Sequence, residues 1–272
     1  MAVLEWRGGT SSVFSDKTNW IDQSTGATPA NAPANNDTLV FNWGSVSVSG
    51  ATTGLTGVTI ICTQDYSGTV GLGNPLNIGV ASVSWRNGPS LNLAGAITTG
   101  SVRCRTGAFT HNTGAITAIY IERTNYAFGP ASVVTRVRAK DSNGSDENNA
   151  TGYTAAVFEG GSHSTRRSIV ADVSGGATLR VMTQGSLGDG TIVSGRGRLL
   201  YASGEDVGAA VDVEVRPGAT FDAGASAGFA WPGTLIRWAG AKINLDTPGG
   251  KVVPNTVTEF GFGEDIGDPV QI

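Results

Sequence analysis

The chain has 272 residues and a net charge of −4, and that acidic balance argues against a general nucleic-acid binder, which is usually basic. Charged residues make up only 15%, below the usual ~25%. Their place is taken by 40 Gly and by Ser, Thr and Asn, a mixture that disfavours helices and suits short strands between tight turns.

The N-terminus, MAVLEWRGGTSS, has no basic segment leading into an apolar core. No secretory signal is read there, so the chain is expected to fold in a cytoplasm. An aromatic pattern follows: Trp6-Arg7-Gly8-Gly9, Asn19-Trp20, Pro33, Asp37 and Phe41. Asp37 comes directly after the turn-like Pro33-Ala34-Asn35-Asn36 and is placed to hydrogen-bond its own loop.

Short alternating runs then succeed one another: TLVF (38–41), VSVS (46–49), VTII (58–61), SVSW (82–85), LNLA (91–94), SVRC (101–104), AIYIE (118–122) and VVTRVRA (133–139). Such runs among Gly, Asn, Asp and Ser are the signature of strands and turns. Starts at Val58, Ser82, Ser101 and Ile119 lie 18 to 24 residues apart, a period that predicts a β-solenoid with two or three strands per coil. Cys62 and Cys104 sit in two of these runs and read as buried free thiols. A bridge between them would need Cα atoms within about 7 Å.

The segment AKDSNGSDENNATG (139–152) is polar and acidic, and is expected to be a strand-free loop projecting from the body, at the break between two halves. Strand patterns resume with SIVADV (168–173), ATLRV (177–181), RLLYA (198–202), VDVEV (211–215), ATFDA (219–223), TLIRW (234–238) and KINLD (242–246). GGATLRV (175–181) and PGATFDAG (217–224) share Gly-Ala-Thr-apolar, in which Gly makes a corner and the apolar residue points into the stack. The Gly-rich, acidic end FGFGEDIGDPVQI (260–272) reads as a tail that orders against a partner. No window carries helical periodicity free of Gly or Pro. The reading is all-β: a β-solenoid, with a β-sandwich or jelly roll as the alternative. Residues 1–45 form a cap, 46–258 the body and 259–272 the tail.

The ordered pattern Trp6-x-Gly8-Gly9, Asn19-Trp20, Pro33, Asp37, Phe41 resembles the start of many bacterial and phage right-handed parallel β-helices, including autotransporter-like passenger repeats. The resemblance covers about 15% of the chain and implies a cap in which Trp6, Trp20 and Phe41 cover the open end of the first coil. That fits the need of any solenoid end to hide apolar side chains and unpaired edges. Secreted members of that family carry a signal peptide and run to more coils. A short form without one looks more like a phage virion component.

Candidate chemistry is sparse. His111 and His163 have no second His or Cys at ligand spacing and read as surface-loop residues, so no metal and no cofactor are expected. The adjacent acids Asp146-Glu147, Glu205-Asp206 and Glu264-Asp265 lie in Gly- or Asn-rich turns and read as solvated. Neighbours on an extended chain point to opposite sides, so adjacency makes no catalytic pair. There is no Gly-x-Ser-x-Gly elbow, and GLGNPL and GRGRLL are not phosphate loops.

The basic residues are 14 Arg and 4 Lys, a bias that suits bidentate docking contacts. Arg103/Arg105, Arg136/Arg138 and Arg196/Arg198 alternate at period two, so each pair shares a face. With Val102, Cys104 and Val137 inside, the arginines face out, as a basic ladder if coils stack them, or else paired with Glu122, Asp172 or Asp212. The expectation is a non-enzymatic phage virion protein. It would be a capsid decoration or minor capsid protein that binds the shell, through the major capsid protein or another virion protein, by its surface and self-associates as a trimer. It would have no nucleic-acid or membrane partner and would reside in the virion. The alternatives are a tailspike-like protein that binds or depolymerises polysaccharide, and an adhesin fragment.

Overall fold

The computed structural model describes residues 1–9, 11–44, 46–48, 55–62, 66, 69–72, 79–85, 90–96, 98–182, 185–202, 212–223, 230–247, 250–251, 253–261 and 270–271, with backbone alone inside 71–99. The chain is an all-β parallel solenoid of about 8 turns. A 3₁₀ turn at Lys17–Asn19 is the only helix among the described residues, and none is long and apolar enough to cross a membrane. Two compact units are formed, Met1–Arg136 and Val137–Ile272.

The first unit opens with β1 (Val3–Trp6), β2 (Trp20–Asp22) and β3 (Thr38–Phe41). β1 pairs antiparallel with β2 and parallel with β3, which enters the first coil. Trp6, Phe14, Trp20 and Phe41 are buried together, with ring centroids 5.1–6.4 Å apart and mostly edge-to-face, the arrangement that aromatic quadrupoles favour. Both indoles are satisfied: Trp6 Nε1 donates to the Val46 carbonyl at 3.0 Å and Trp20 Nε1 to the Phe14 carbonyl at 2.8 Å. The Asp37 carboxylate accepts the Ala2 amide at 2.6 Å and the Ala34 amide of its own loop at 2.9 Å.

There follow β4 (Thr56–Cys62), β5 (Thr69–Leu72), β6 (Gly79–Trp85), β7 (Ser90–Ala96), β8 (Thr98–Cys104), β9 (Gly107–Glu122) and β10 (Thr124–Lys140). β3, β4, β6, β8 and the second half of β9 form one parallel ladder, while β5, β7 and the first half of β9 form another. Thr59 pairs with Ser82, Ser82 with Ser101 and Ser101 with Ala118, making coils of 23, 19 and 17 residues. The period read at Ser82 and Ser101 is therefore the true one, and this parallel register excludes the sandwich. β9 serves both ladders because Gly114, at φ 100°, turns the corner in a region closed to most side chains. Cys62, Trp85 and Cys104 share one register. Two strand spacings put the cysteine Cα atoms about 9.6 Å apart, beyond disulfide reach. Neither is in a disulfide, and both are buried.

The second unit contains β11 (Asn143–Asp146), β12 (Ala155–Glu159), β13 (Ser162–Thr165), β14 (Ala171–Ser174), β15 (Thr178–Val181), β16 (Thr191–Val193), β17 (Arg198–Tyr201), β18 (Val213–Val215), β19 (Thr220–Asp222), β20 (Ala230–Trp238), β21 (Lys242–Asn244), β22 (Asp246–Thr247), β23 (Gly250–Lys251), β24 (Val253–Phe260) and β25 (Val270–Gln271). β12, β14, β16, β18, β20 and β24 stack in one parallel ladder. β11, β13, β15, β17, β19 and β21 stack in the other.

Inward files run along each ladder. His163, Leu179, Leu199, Phe221 and Ile243 follow one another in register. The two Gly-Ala-Thr echoes sit two coils apart at one register, Thr178 and Thr220 flanking Arg198. Their corner is a β-turn, closed by Ala177 N to Ser174 O at 2.9 Å and Ala219 N to Arg216 O at 3.1 Å. The Pro217-Gly218 centre, with Gly218 at φ 79°, is the type II signature.

Two expectations are corrected here. Residues 139–152 are not a strand-free projecting loop: they contain β11, and Ser142, Asp146 and Asn148 are buried. Polar side chains there replace water as partners for the backbone, so composition mimics a loop. The histidines are not on the surface. His111 is buried with Nδ1 hydrogen-bonded to Ser132 Oγ at 2.7 Å. His163 is buried with Nε2 donating to the Gly160 carbonyl at 2.9 Å, its ring 4.6 Å from that of Phe158. The tail is partly built in, since β25 pairs antiparallel with β24.

Candidate functional site

The six arginines singled out by the sequence are all exposed, while Val102, Cys104 and Val137 between them are buried. Where a register is defined, no arginine ladder forms. Arg103 lies in register between Ser84 and Tyr120, and Arg198 between Thr178 and Thr220.

Each pair is divided instead. Arg105 is ion-paired with Glu122 at 3.5 Å, Arg138 with Glu159 at 2.9 Å and Arg198 with Asp222 at 2.8 Å. The other members, Arg103, Arg136 and Arg196, are exposed and make no ion pair among the described residues. Glu122 is thus a partner, as one reading of the sequence had it. Asp222 and Glu159 were missed, although each lies about one coil downstream of its arginine.

The second unit also holds charge at inward positions. One inward file reads Phe158, Val173, Val193, Val215, Arg237 and Glu259 in register. Its last two members form an ion pair at 2.8 Å, where the preceding coils carry apolar side chains. Extending the file from Val193 and Val215 at its constant 22-residue step reaches Arg237 and Glu259, and would have found this substitution.

Beside the pair opens a cleft of about 420 Å³, floored by Leu235, Ile243, Leu245 and Val257 and rimmed by Asp246, Lys251 and Val253. The cleft is what remains of the core where stacking stops: β21 pairs with β19, and among the described residues no strand pairs with its other edge. On the outer face, the Trp238 ring stacks on Phe260 at 5.0 Å and its Nε1 donates to Glu214 Oε1 at 2.8 Å. The hydrogen bond from Arg216 holds the Glu214 carboxyl below its ordinary value against the opposing effect of burial, with the Arg216 charge and then the Trp238 hydrogen bond adding smaller pulls in the same direction.

A buried polar cluster was missed entirely. Arg167 is fully buried and ion-paired with Asp146 through Nε. Tyr153 Oη donates to the same carboxylate oxygen, and the Asn148 amide donates to the other at 3.0 Å. Arg167 also donates to the Thr151 carbonyl and hydroxyl at 3.1 and 2.8 Å, and its guanidinium lies 4.9 Å from the centre of the Tyr153 ring. Burial pushes the Asp146 carboxyl up from its ordinary value, against the pull of Arg167, Tyr153 and the Asn148 amide. Asp146, Tyr153, Thr151 and Arg167 thus satisfy one another inside the fold, which is the signature of a structural clasp.

Of the three acid pairs, only Asp146-Glu147 lies in the described residues. Asp146 is the buried half, a correction to the solvated reading, and Glu147 is ion-paired with Arg166 at 2.7 Å. Glu205-Asp206 and Glu264-Asp265 lie outside the described residues. Among the described residues no group of three or more His, Cys, Asp or Glu is placed to hold a metal ion. Neither protein-family models, nor curated proteins, nor solved structures give a match to this chain.

Proposed function

We propose that this chain is a virion structural protein, a capsid decoration or minor capsid protein that docks on an acidic protein shell through outward arginines. The division of the arginine pairs carries this reading. In each pair one guanidinium braces an adjacent segment through an ion pair, and the other stands exposed on the stiff strand or turn beside it. A side chain held out on a rigid ladder loses little freedom on docking, and a guanidinium offers a planar fork to a partner carboxylate.

The test has two parts. Particles purified from the source organism are imaged by cryo-electron microscopy, and the purified chain is added to shells lacking it. The chain is expected on the shell, with affinity that falls as salt rises and is lost in the triple variant Arg103→Glu/Arg136→Glu/Arg196→Glu. A position away from the shell, or binding indifferent to both salt and the triple variant, would defeat the proposal.

A further inference from the structure

We infer that, in the second unit, the outer face of the ladder running from β11 to β21 binds a linear acidic polysaccharide in which charged and uncharged sugars alternate. This is independent of the shell docking proposed above and uses other residues.

The register carries the inference. On the successive parallel strands β13, β15, β17, β19 and β21, the residues Ser162, Thr178, Arg198, Thr220 and Lys242 stand side by side. Each precedes a member of the inward file His163, Leu179, Leu199, Phe221 and Ile243, so all five point outward, and none is buried. From Thr178 onward the file alternates hydroxyl, cation, hydroxyl, cation. Arg198 and Lys242 are two strand spacings apart, about 9.6 Å, with Thr220 midway. That step is about the length of a disaccharide in an extended chain. A polymer lying across the strands meets a cation at every second sugar and a hydroxyl at the sugar between.

The cations are exposed and placed to bind. Arg198 donates to Asp222 through one terminal nitrogen at 2.8 Å. That bond steadies the guanidinium while its side chain stays 50% exposed, leaving further N–H groups of the fork for a second carboxylate. Lys242 is exposed and makes no ion pair among the described residues, and the same is true of Arg180 in the adjoining outward file Ser164, Arg180, Leu200, Asp222 and Asn244. Arg180, Arg198 and Lys242 thus stand against Asp222 alone.

Other occupants fit less well. Neither file holds an aromatic ring, the platform on which single-stranded nucleic acids stack their bases. Neither offers the buried aromatic anchors that dominate protein interfaces. The outer face of the other ladder carries Glu159, Asp172 and Glu214, a set that favours no polyanion.

Isothermal titration calorimetry of the full chain tests the site, with oligosaccharides of hyaluronan and of heparosan, in both of which a uronate alternates with an uncharged sugar. At least one is expected to bind, more weakly as salt rises. Uncharged dextran and a single-stranded oligonucleotide are expected not to bind. Lys242→Glu and Arg180→Glu, at exposed positions with no ion pair to lose, are each expected to weaken binding about tenfold. Thr220→Val, which keeps the shape and removes the hydroxyl, is expected to weaken it roughly threefold. Arg123→Glu, in the first unit, is expected to leave binding unchanged. An unaltered far-ultraviolet spectrum and melting temperature in each variant separate loss of the site from loss of the fold.

Binding of neither acidic oligosaccharide, equal binding of dextran or of the oligonucleotide, or binding that survives both Lys242→Glu and Arg180→Glu would overturn the inference. All of these are read without shells. A failure here is thus separate from a failure of shell docking, which is read through Arg103, Arg136 and Arg196.

Discussion

The Arg167 clasp sets the sharpest quantitative expectation. Arg167→Met keeps most of the side-chain volume and removes the charge. Asp146 is then left 99% buried, because its side chain is only 1% exposed, with Tyr153 and the Asn148 amide as remaining partners. The Thr151 carbonyl also loses its donor. Removing one partner of a buried pair costs about 3–5 kcal/mol, a large fraction of the 5–15 kcal/mol that holds a typical domain.

The loss depends on pH in a defined direction. Burial already pushes the Asp146 carboxyl up, and without Arg167 it rises further. At acid pH the carboxyl is neutral in the fold and the penalty is small. As pH rises through the folded value the buried group must either ionise or hold a proton that the unfolded chain releases, so stability falls. Urea unfolding of wild type and variant at pH 5 and pH 7.5 should therefore show a gap that widens with pH. The double variant Asp146→Leu/Arg167→Met should recover much of the loss. A single-variant cost below about 1 kcal/mol, or a gap that narrows with rising pH, would refute the clasp.

Other expectations follow from burial and backbone. Burial holds His163 below its ordinary value, partly opposed by its bond to Gly160; the neutral ring's contribution is complete above pH 6.5 and is lost as pH falls through the lower folded value. Thermal melts of His163→Gln should show a flatter acid slope than wild type. Gly161→Ala places a methyl against the Ser142 carbonyl oxygen at φ 81°, so urea unfolding should report a loss of about 2–4 kcal/mol. Leu199→Ala, between Leu179 and Phe221 in a closed file, should cost about 2–5 kcal/mol by the same measurement. Burial pushes the Cys62 thiol up to about 12 and Cys104 up as well, so a thiol reagent at pH 8 should label neither until denaturant is added.

What the sequence made legible were the features that repeat or alternate. Ser82 and Ser101 are register partners because a coil must return each strand to the same face, and that constraint writes a period into the chain. The rings at Trp6, Trp20 and Phe41 were legible because a covered end needs large apolar side chains close together in sequence. Asp146 was not legible. Its partner Arg167 is 21 residues away, and neither residue sits in an alternating run, so composition alone marks the segment as loop. His111 and His163 failed for a related reason: each buried imidazole bonds to a residue, Ser132 or Gly160, that does not look like a ligand in sequence. The inward position of Arg237 and Glu259 was within reach, since the step from Val193 through Val215 to Arg237 and Glu259 is constant, but alternation by itself does not say which of two faces is inside.

Stacked coils restrict where such a chain can carry function. Interior positions must match the coil above and the coil below, so a change at one residue is felt in both neighbours, as the Leu179, Leu199 and Phe221 file shows. Two places escape that constraint. Outward positions have no neighbour to pack inward against, and there the arginines divide between bracing and exposure. The end of this ladder, where β24 is covered by the short antiparallel β25, is the second, and there the file changes from Val193 and Val215 to Arg237 and Glu259. An ion pair at that step costs little where solvent reaches it, since Arg237 keeps 34% of its side chain exposed, and it prevents the floor of the cleft from being uniformly apolar. Reversing the pair as Arg237→Glu/Glu259→Arg should therefore keep the fold, with the far-ultraviolet spectrum and the melting temperature unchanged, because the two charges still meet and solvent still reaches them. A melting temperature lowered as far as Leu199→Ala lowers it would show that this step of the file is packed as tightly as the coils before it.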